Sequence, residues 1–141
     1  SQPMLVFGSA IGSGNYSRPS GEIVNCEAYV NFTDTASPLA ADDKVLNLEA
    51  LSSGKIPKGA KAIQMWARTT DSAVANEKGI QWGTDSDWSY AVTLLPQVNA
   101  KRVVTHGRVP CDTHGGIYQK VTVAGSTLSD TSLQATAIEL R

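Results

Sequence analysis

Residues 55–95 read KIPKGAKAIQMWARTTDSAVANEKGIQWGTDSDWSYAVTLL and hold all three tryptophans of the 141-residue chain. Pro57-Lys58-Gly59 reads as a turn, because proline presets φ near −65° and glycine accepts φ > 0 without steric cost. In the next run, Ile63, Met65 and Ala67 alternate with Gln64, Trp66 and Arg68, the period-2 pattern of a strand whose two faces meet different environments. Gly79-Ile80-Gln81-Trp82 is a second short apolar run, bounded by Gly83. Trp88, Tyr90, Val92 and Leu94 make a third, with the large residues on one face. The three runs are expected to be strands of one antiparallel sheet.

Working outward, Glu22 to Phe32 alternates most cleanly, with Val24, Cys26, Ala28, Val30 and Phe32 on one face and Asn25, Glu27, Tyr29 and Asn31 on the other. Lys44 to Leu51 has two readings. Leu46 and Leu48 alternate as in a strand, which is the preferred reading, whereas the preceding Ala-Asp-Asp would cap a short helix. Asp71 to Lys78 reads as a loop or a single helical turn. Lys101 to Thr105 reads as a strand, and residues 109–116 (VPCDTHGG) are expected to break any regular element. Ile117, Gln119, Val121 and Val123 alternate with Tyr118, Lys120, Thr122 and Ala124. Gly125-Ser126-Thr127 turns the chain, and Leu133 to Leu140 completes it as a last strand. Eight or nine short strands with no long amphipathic helix predict an all-β chain, a single-domain antiparallel β-sandwich or jelly roll. Its core is expected to draw on Val24, Cys26, Ala28, Val30, Phe32, Ile63, Met65, Val92, Leu94, Val121 and Val123.

The domain is expected to occupy residues 21–141, after an extended N-terminal arm over residues 1–20. That arm contains Met4 to Phe7 and the Gly-rich run Gly8 to Gly14, which is too poor in helix formers to extend the apolar segment. Twelve Lys and Arg nearly balance thirteen Asp and Glu, and the basic residues are scattered. Nucleic acid, which is held mainly by concentrated cations on phosphates, is therefore not an expected partner. No apolar run approaches the roughly 18–20 residues that span a bilayer, so a membrane partner is not expected either, and no leader of basic and then apolar residues is visible. Charged residues make up 18% of the chain, below the usual ~25%, and a Ser/Thr-rich surface suits strands. Cys26 and Cys111 allow one disulfide without requiring it, because free cysteine is a common small buried residue.

Several groups invite a chemical reading. His106, Cys111, Asp112 and His114 offer four ligand side chains within nine residues, but their spacing matches no zinc pattern, and a polar loop is the plainer reading. Cys111 beside a histidine suggests a nucleophile, which would require a depressed thiol pKa. Asp85 and Asp87 lack the distal Glu of a calcium loop and suit a turn between strands. Gly8 to Gly14 lacks the Lys-Ser/Thr ending of a phosphate loop. Asn15 and Asn31 begin glycosylation sequons. Trp66, Trp82, Trp88 and Tyr90 suggest stacking on sugars, against which stands the need of a sandwich for large core residues. No catalytic residue, metal or cofactor is expected from these sets.

The stretches Ile56-Pro-Lys-Gly-Ala-Lys-Ala-Ile-Gln-Met-Trp66 and Gly79-Ile-Gln-Trp-Gly-Thr-Asp85, with the C-terminal residues 116–140 (GIYQKVTVAGSTLSDTSLQATAIEL), resemble small virion structural proteins of tailed bacteriophages, of the head-decoration and head-fibre kind. About half the chain carries the resemblance. It implies a non-enzymatic sandwich on the capsid surface of the virion, assembled as a homo-oligomer without a cofactor and contacting the major capsid protein or another virion protein. The alternative is a carbohydrate-binding module of a fibre or secreted protein, using exposed tryptophans.

Overall fold

The computed structural model describes residues 21–33, 42–73, 79–85, 92–122 and 128–141. Eight strands and one helical turn occur in order among them: β1 (Ile23–Asn31), β2 (Asp42–Asn47), α1 (Leu48–Leu51), β3 (Ala62–Asp71), β4 (Gly79–Gly83), β5 (Val92–Leu94), β6 (Arg102–Pro110), β7 (Gly116–Thr122) and β8 (Leu128–Glu139). They form two four-stranded antiparallel sheets, ordered β1-β8-β3-β6 and β2-β7-β4-β5. The chain is thus an all-β sandwich. The N-terminal arm, Val123, the turn at 125–127 and the run through Trp88 and Tyr90 lie outside the described residues.

The organising stretch does not make one sheet. β4 and β5 pair as expected, but β3 belongs to the opposite sheet, between β8 and β6. Alternation tells which side of a strand is apolar, and both inner faces of a sandwich are apolar, so the pattern carries no information on which sheet a strand joins. The turn before β3 forms as read. Ala60 N donates to Pro57 O at 3.1 Å and Gly59 has φ +82°, a turn of the kind that needs glycine in its third position.

Between the sheets lie Ile63, Met65 and Ala67 of β3, Ile80 and Trp82 of β4, Leu94 of β5, Ile117 and Val121 of β7, and Leu133 and Ala135 of β8, all buried with Phe32 just past β1. The Trp82 indole Nε1 donates to Gln119 Oε1 at 2.9 Å. That bond pairs two polar groups of the core with each other. Val24, Cys26, Val30 and Val92 are half-buried against the core.

Ala28 is not a core residue; it is exposed. The pairing of β1 with β8 shifts between Asn25, opposite Ala137, and Val30, opposite Ala135, so β1 uses three more residues than its neighbour over this span. The looped-out residues cannot all keep alternating toward the core. β8 bulges as well. Opposite β3 its register slips near Thr136 and again near Asp130. Each extra residue reverses the facing of the residues after it, so that Leu133 and Ala135 point inward and then Ile138 and Leu140 do. Asp130 takes φ +50° at one of these bulges.

Lys44 to Leu51 divides into both of its readings. β2 runs through Asn47, and the Asn47 side chain then caps α1 by accepting from Ala50 N at 3.1 Å. The cap is therefore Asn47 and not the Ala-Asp-Asp segment. Residues 109–110, expected to be broken, continue β6. β6 is an edge strand of its sheet, and an edge accommodates proline's missing N–H.

β5 lies beside β6, where Val92 Cγ2 stands 2.9 Å from the place a Cβ on Gly107 would occupy. The two sheets therefore meet along the β5/β6 side, and β1 and β2 are the edges of the other side.

Candidate functional site

The residues singled out for chemistry do not converge. Cys111 points into the core, where burial pushes its thiol up to about 12, with Asp112 adding to the effect. A thiol held that high is not a nucleophile at neutral pH. Burial raises Cys26 too, and both cysteines are free. His106 is exposed on the opposite face of β6, level with Trp66 of β3. Asp112 and His114 meet in the β6–β7 turn, but through the backbone: Asp112 Oδ1 accepts from His114 N at 2.8 Å and from Gly116 N at 2.9 Å. The aspartate thus ties the turn, the ordinary work of Asp between strands. Among the described residues no three His, Cys, Asp or Glu side chains are grouped to hold a metal ion.

Asp85 lies exposed just after β4; Asp87, Trp88, Tyr90, Asn15 and Gly8 to Gly14 lie outside the described residues. Asn31 ends β1, and its Oδ1 accepts from Thr33 N at 3.1 Å and Thr33 Oγ1 at 2.5 Å, so this sequon folds back on itself. Trp82 is fully buried and cannot meet a ligand. Trp66 is half-buried on the outer side of β3, with the Arg68 guanidinium 5.8 Å from its ring centroid, a cation–π distance. No helix among the described residues is long and apolar enough to cross a membrane.

What the fold does assemble is the outer face of the β1-β8-β3-β6 sheet. Two of its cross-strand rows run Asn25–Ala137–Gln64–Arg108 and Asn31–Gln134–Trp66–His106. Four cations on this face and at its margin share two carboxylates. Asp130 takes Arg102 at 2.8 Å and Arg68 at 3.4 Å; Glu139 takes Arg108 at 2.8 Å and Lys61 at 3.4 Å. The hydrogen bond from Arg108, helped by Lys61, holds the Glu139 carboxyl below its ordinary range and raises Arg108 in turn. Lys61, Arg68, Arg102 and Arg108 against Asp130 and Glu139 leave two positive charges in excess, on a chain whose net charge is −1. Val104 stands 46% exposed among them.

Sequence reasoning missed this face, although half of it was legible. Arg102, Val104, His106 and Arg108 alternate on one side of β6, a period-2 run that continues past Thr105 where the strand was expected to stop. The carboxylate partners were not legible, since the bulges of β8 decide where Asp130 and Glu139 sit.

A second, shallower feature is a groove of about 290 Å³ between β2, α1 and the β6–β7 turn, lined among others by Val45, Glu49, Lys58 and His114. Neither the known protein-family models nor the curated protein sequences include a match to this chain.

Proposed function

We propose that this chain is a non-enzymatic structural protein of a virion, a small sandwich that assembles on the capsid surface and stabilises the shell through repeated contacts. The observation that carries the reading is the central stretch, residues 56–66 and 79–85, whose sequence resembles the head-decoration and head-fibre proteins of tailed phages. Its residues serve as framework. Pro57 to Ala60 form the turn into β3, Ile63 and Met65 fill the core, and Trp82 is committed to the buried bond with Gln119. Large apolar side chains at the surface, Ile23, Tyr29, Val45 and Val104 among them, supply contact area in a form suited to protein neighbours.

The partners in this reading are the major capsid protein or another virion protein and further copies of the chain. Many weak contacts repeated by symmetry add up to firm attachment. The test is a truncation. Removing residues 1–20 is expected to leave far-UV circular dichroism unchanged while weakening cosedimentation with particles. Equal binding by the truncated and full-length proteins would remove the arm from the attachment. Among the described residues, the carbohydrate alternative has lost Trp82 to the core and retains Trp66, one face of which is taken by Arg68.

A further inference from the structure

β1 and β6 are the two edges of one sheet, and they carry opposite chemistry on the same outer face. β1 has Glu27 and no cation, with Ile23 and Tyr29 exposed at 60% and 63%. β6 has Arg102, Arg108 and His106 and no carboxylate, with Val104 exposed. No Lys or Arg lies between Arg18 and Lys44. Ion pairs within the sheet do not cancel the difference, because the carboxylates they use, Asp130 and Glu139, leave the β3/β6 half with its excess of two positive charges.

We infer that this outer face docks on the same face of a second copy of the chain, with β1 of each copy lying over β6 of the other. This rests on the reading that the protein self-assembles. The sheet's own geometry selects the arrangement. A two-fold axis parallel to the strands exchanges the two edges while keeping the cross-strand rows level, so both complementary contacts form at once and the assembly closes as a dimer. Residues 26–29 of β1 lie between the row ending at Arg108 and the next row, Val30–Ala135–Met65–Gly107. Glu27 and Tyr29 are therefore both set level with the second copy's Arg108 and Gly107. In the middle of the face Ala137 lies beside Gln64 in one row and Gln134 beside Trp66 in another, so the two sheets pack through side chains at the usual ~10 Å and within about 30° of alignment.

Size sets the strength. Four strands about 4.8 Å apart and about 30 Å long offer on the order of 450 Å² per copy, below the roughly 800 Å² per partner of a standard stable interface. The dimer is accordingly weak and concentration-dependent in free solution, and its charges fix register more than they add affinity.

Sedimentation velocity over a wide concentration range tests it, on the full chain without particles. The wild type is expected to move from monomer to dimer and no further, and to dissociate more readily at about 1 M salt, where the screening length falls to about 3 Å. Glu27→Arg and Arg108→Glu each place like charges at both contacts, and each is expected to weaken dimerisation at least about tenfold. Mixed together, the two variants should pair as a heterodimer, because every Glu–Arg contact is then restored. Tyr29→Ala should weaken the dimer without changing its charge. Circular dichroism checks that Arg108→Glu, which removes a partner of Glu139, remains folded. Should it unfold, Glu27→Arg alone, which leaves the Arg108–Glu139 pair intact, carries the test. A chain that stays monomeric at all concentrations, an open series of oligomers, or variants that associate like wild type would each overturn the proposal. Particle binding by a strictly monomeric chain would sink this contact and leave the capsid role standing; dimerisation through this face with no particle binding would do the reverse.

Discussion

Trp82→Ala is expected to lose roughly 4–8 kcal/mol of folding stability, read as a fall in the urea midpoint. Trp82 is fully buried at the middle of the core, and truncating a buried tryptophan costs about 3–5 kcal/mol in lost burial and cavity. Its indole is also the hydrogen-bond donor to the buried Gln119, and a buried acceptor left without its partner adds about 1–3 kcal/mol. Against a usual total of about 5–15 kcal/mol, the variant is at the margin of folding. Trp82→Phe separates the two contributions. It keeps most of the ring and strands Gln119, so it is expected to lose about 1–3 kcal/mol. A loss under about 1 kcal/mol for Trp82→Ala would take the residue out of the core, and with it the main objection to a sugar-stacking role.

Phe32→Ala is expected to cost about 3–5 kcal/mol, while Ala28→Glu, four residues earlier in the same alternation, is expected to fall within about 0.5 kcal/mol of wild type. Phe32 is fully buried, and its N–H donates to Leu133 O at 3.0 Å. Ala28 belongs to the looped-out part of β1 and is exposed. Equal costs at the two positions would mean that β1 runs straight and the irregular register is wrong.

Phe32 and Ala28 together mark how far alternation can be read. It correctly assigned the faces of Ile63, Met65, Ala67, Ile117 and Val121, because a regular strand with one buried face leaves a period of two in its residues. It failed at Ala28, where extra residues enter β1 on only one side of the ladder. A bulge is a relation between two strands, and a single strand's residues do not record it. The partition of strands between sheets was hidden for a related reason. β3 and β4 both present an apolar inner face, and which sheet each joins is decided by pairing far along the chain, β3 with β6 and β8, β4 with β7 and β5. In β8 the switch from Leu133 and Ala135 to Ile138 and Leu140 is visible as a broken alternation, a sign of the bulge near Thr136.

The same limit governed the site. His106, Cys111 and His114 are neighbours in sequence, yet alternation on β6 alone sends His106 outward and leaves Cys111 just past the strand end, inside. Arg68 with Arg102, and Arg108 with Lys61, are far apart in sequence and converge only because Asp130 and Glu139 come from the strand between β1 and β3. Those four cations and the acidic, aromatic edge at Glu27 and Tyr29 were each present in the sequence as scattered single residues. Their arrangement on one face is a product of strand order.

The capsid role is most directly tested by the copy number of the chain on purified particles, measured by quantitative mass spectrometry against the major shell protein. The proposed role predicts a fixed, reproducible ratio to that protein, kept through density-gradient purification. A chain absent from the particles, and recovered instead as a free protein that binds a soluble oligosaccharide with quenching of Trp66 fluorescence, would contradict it.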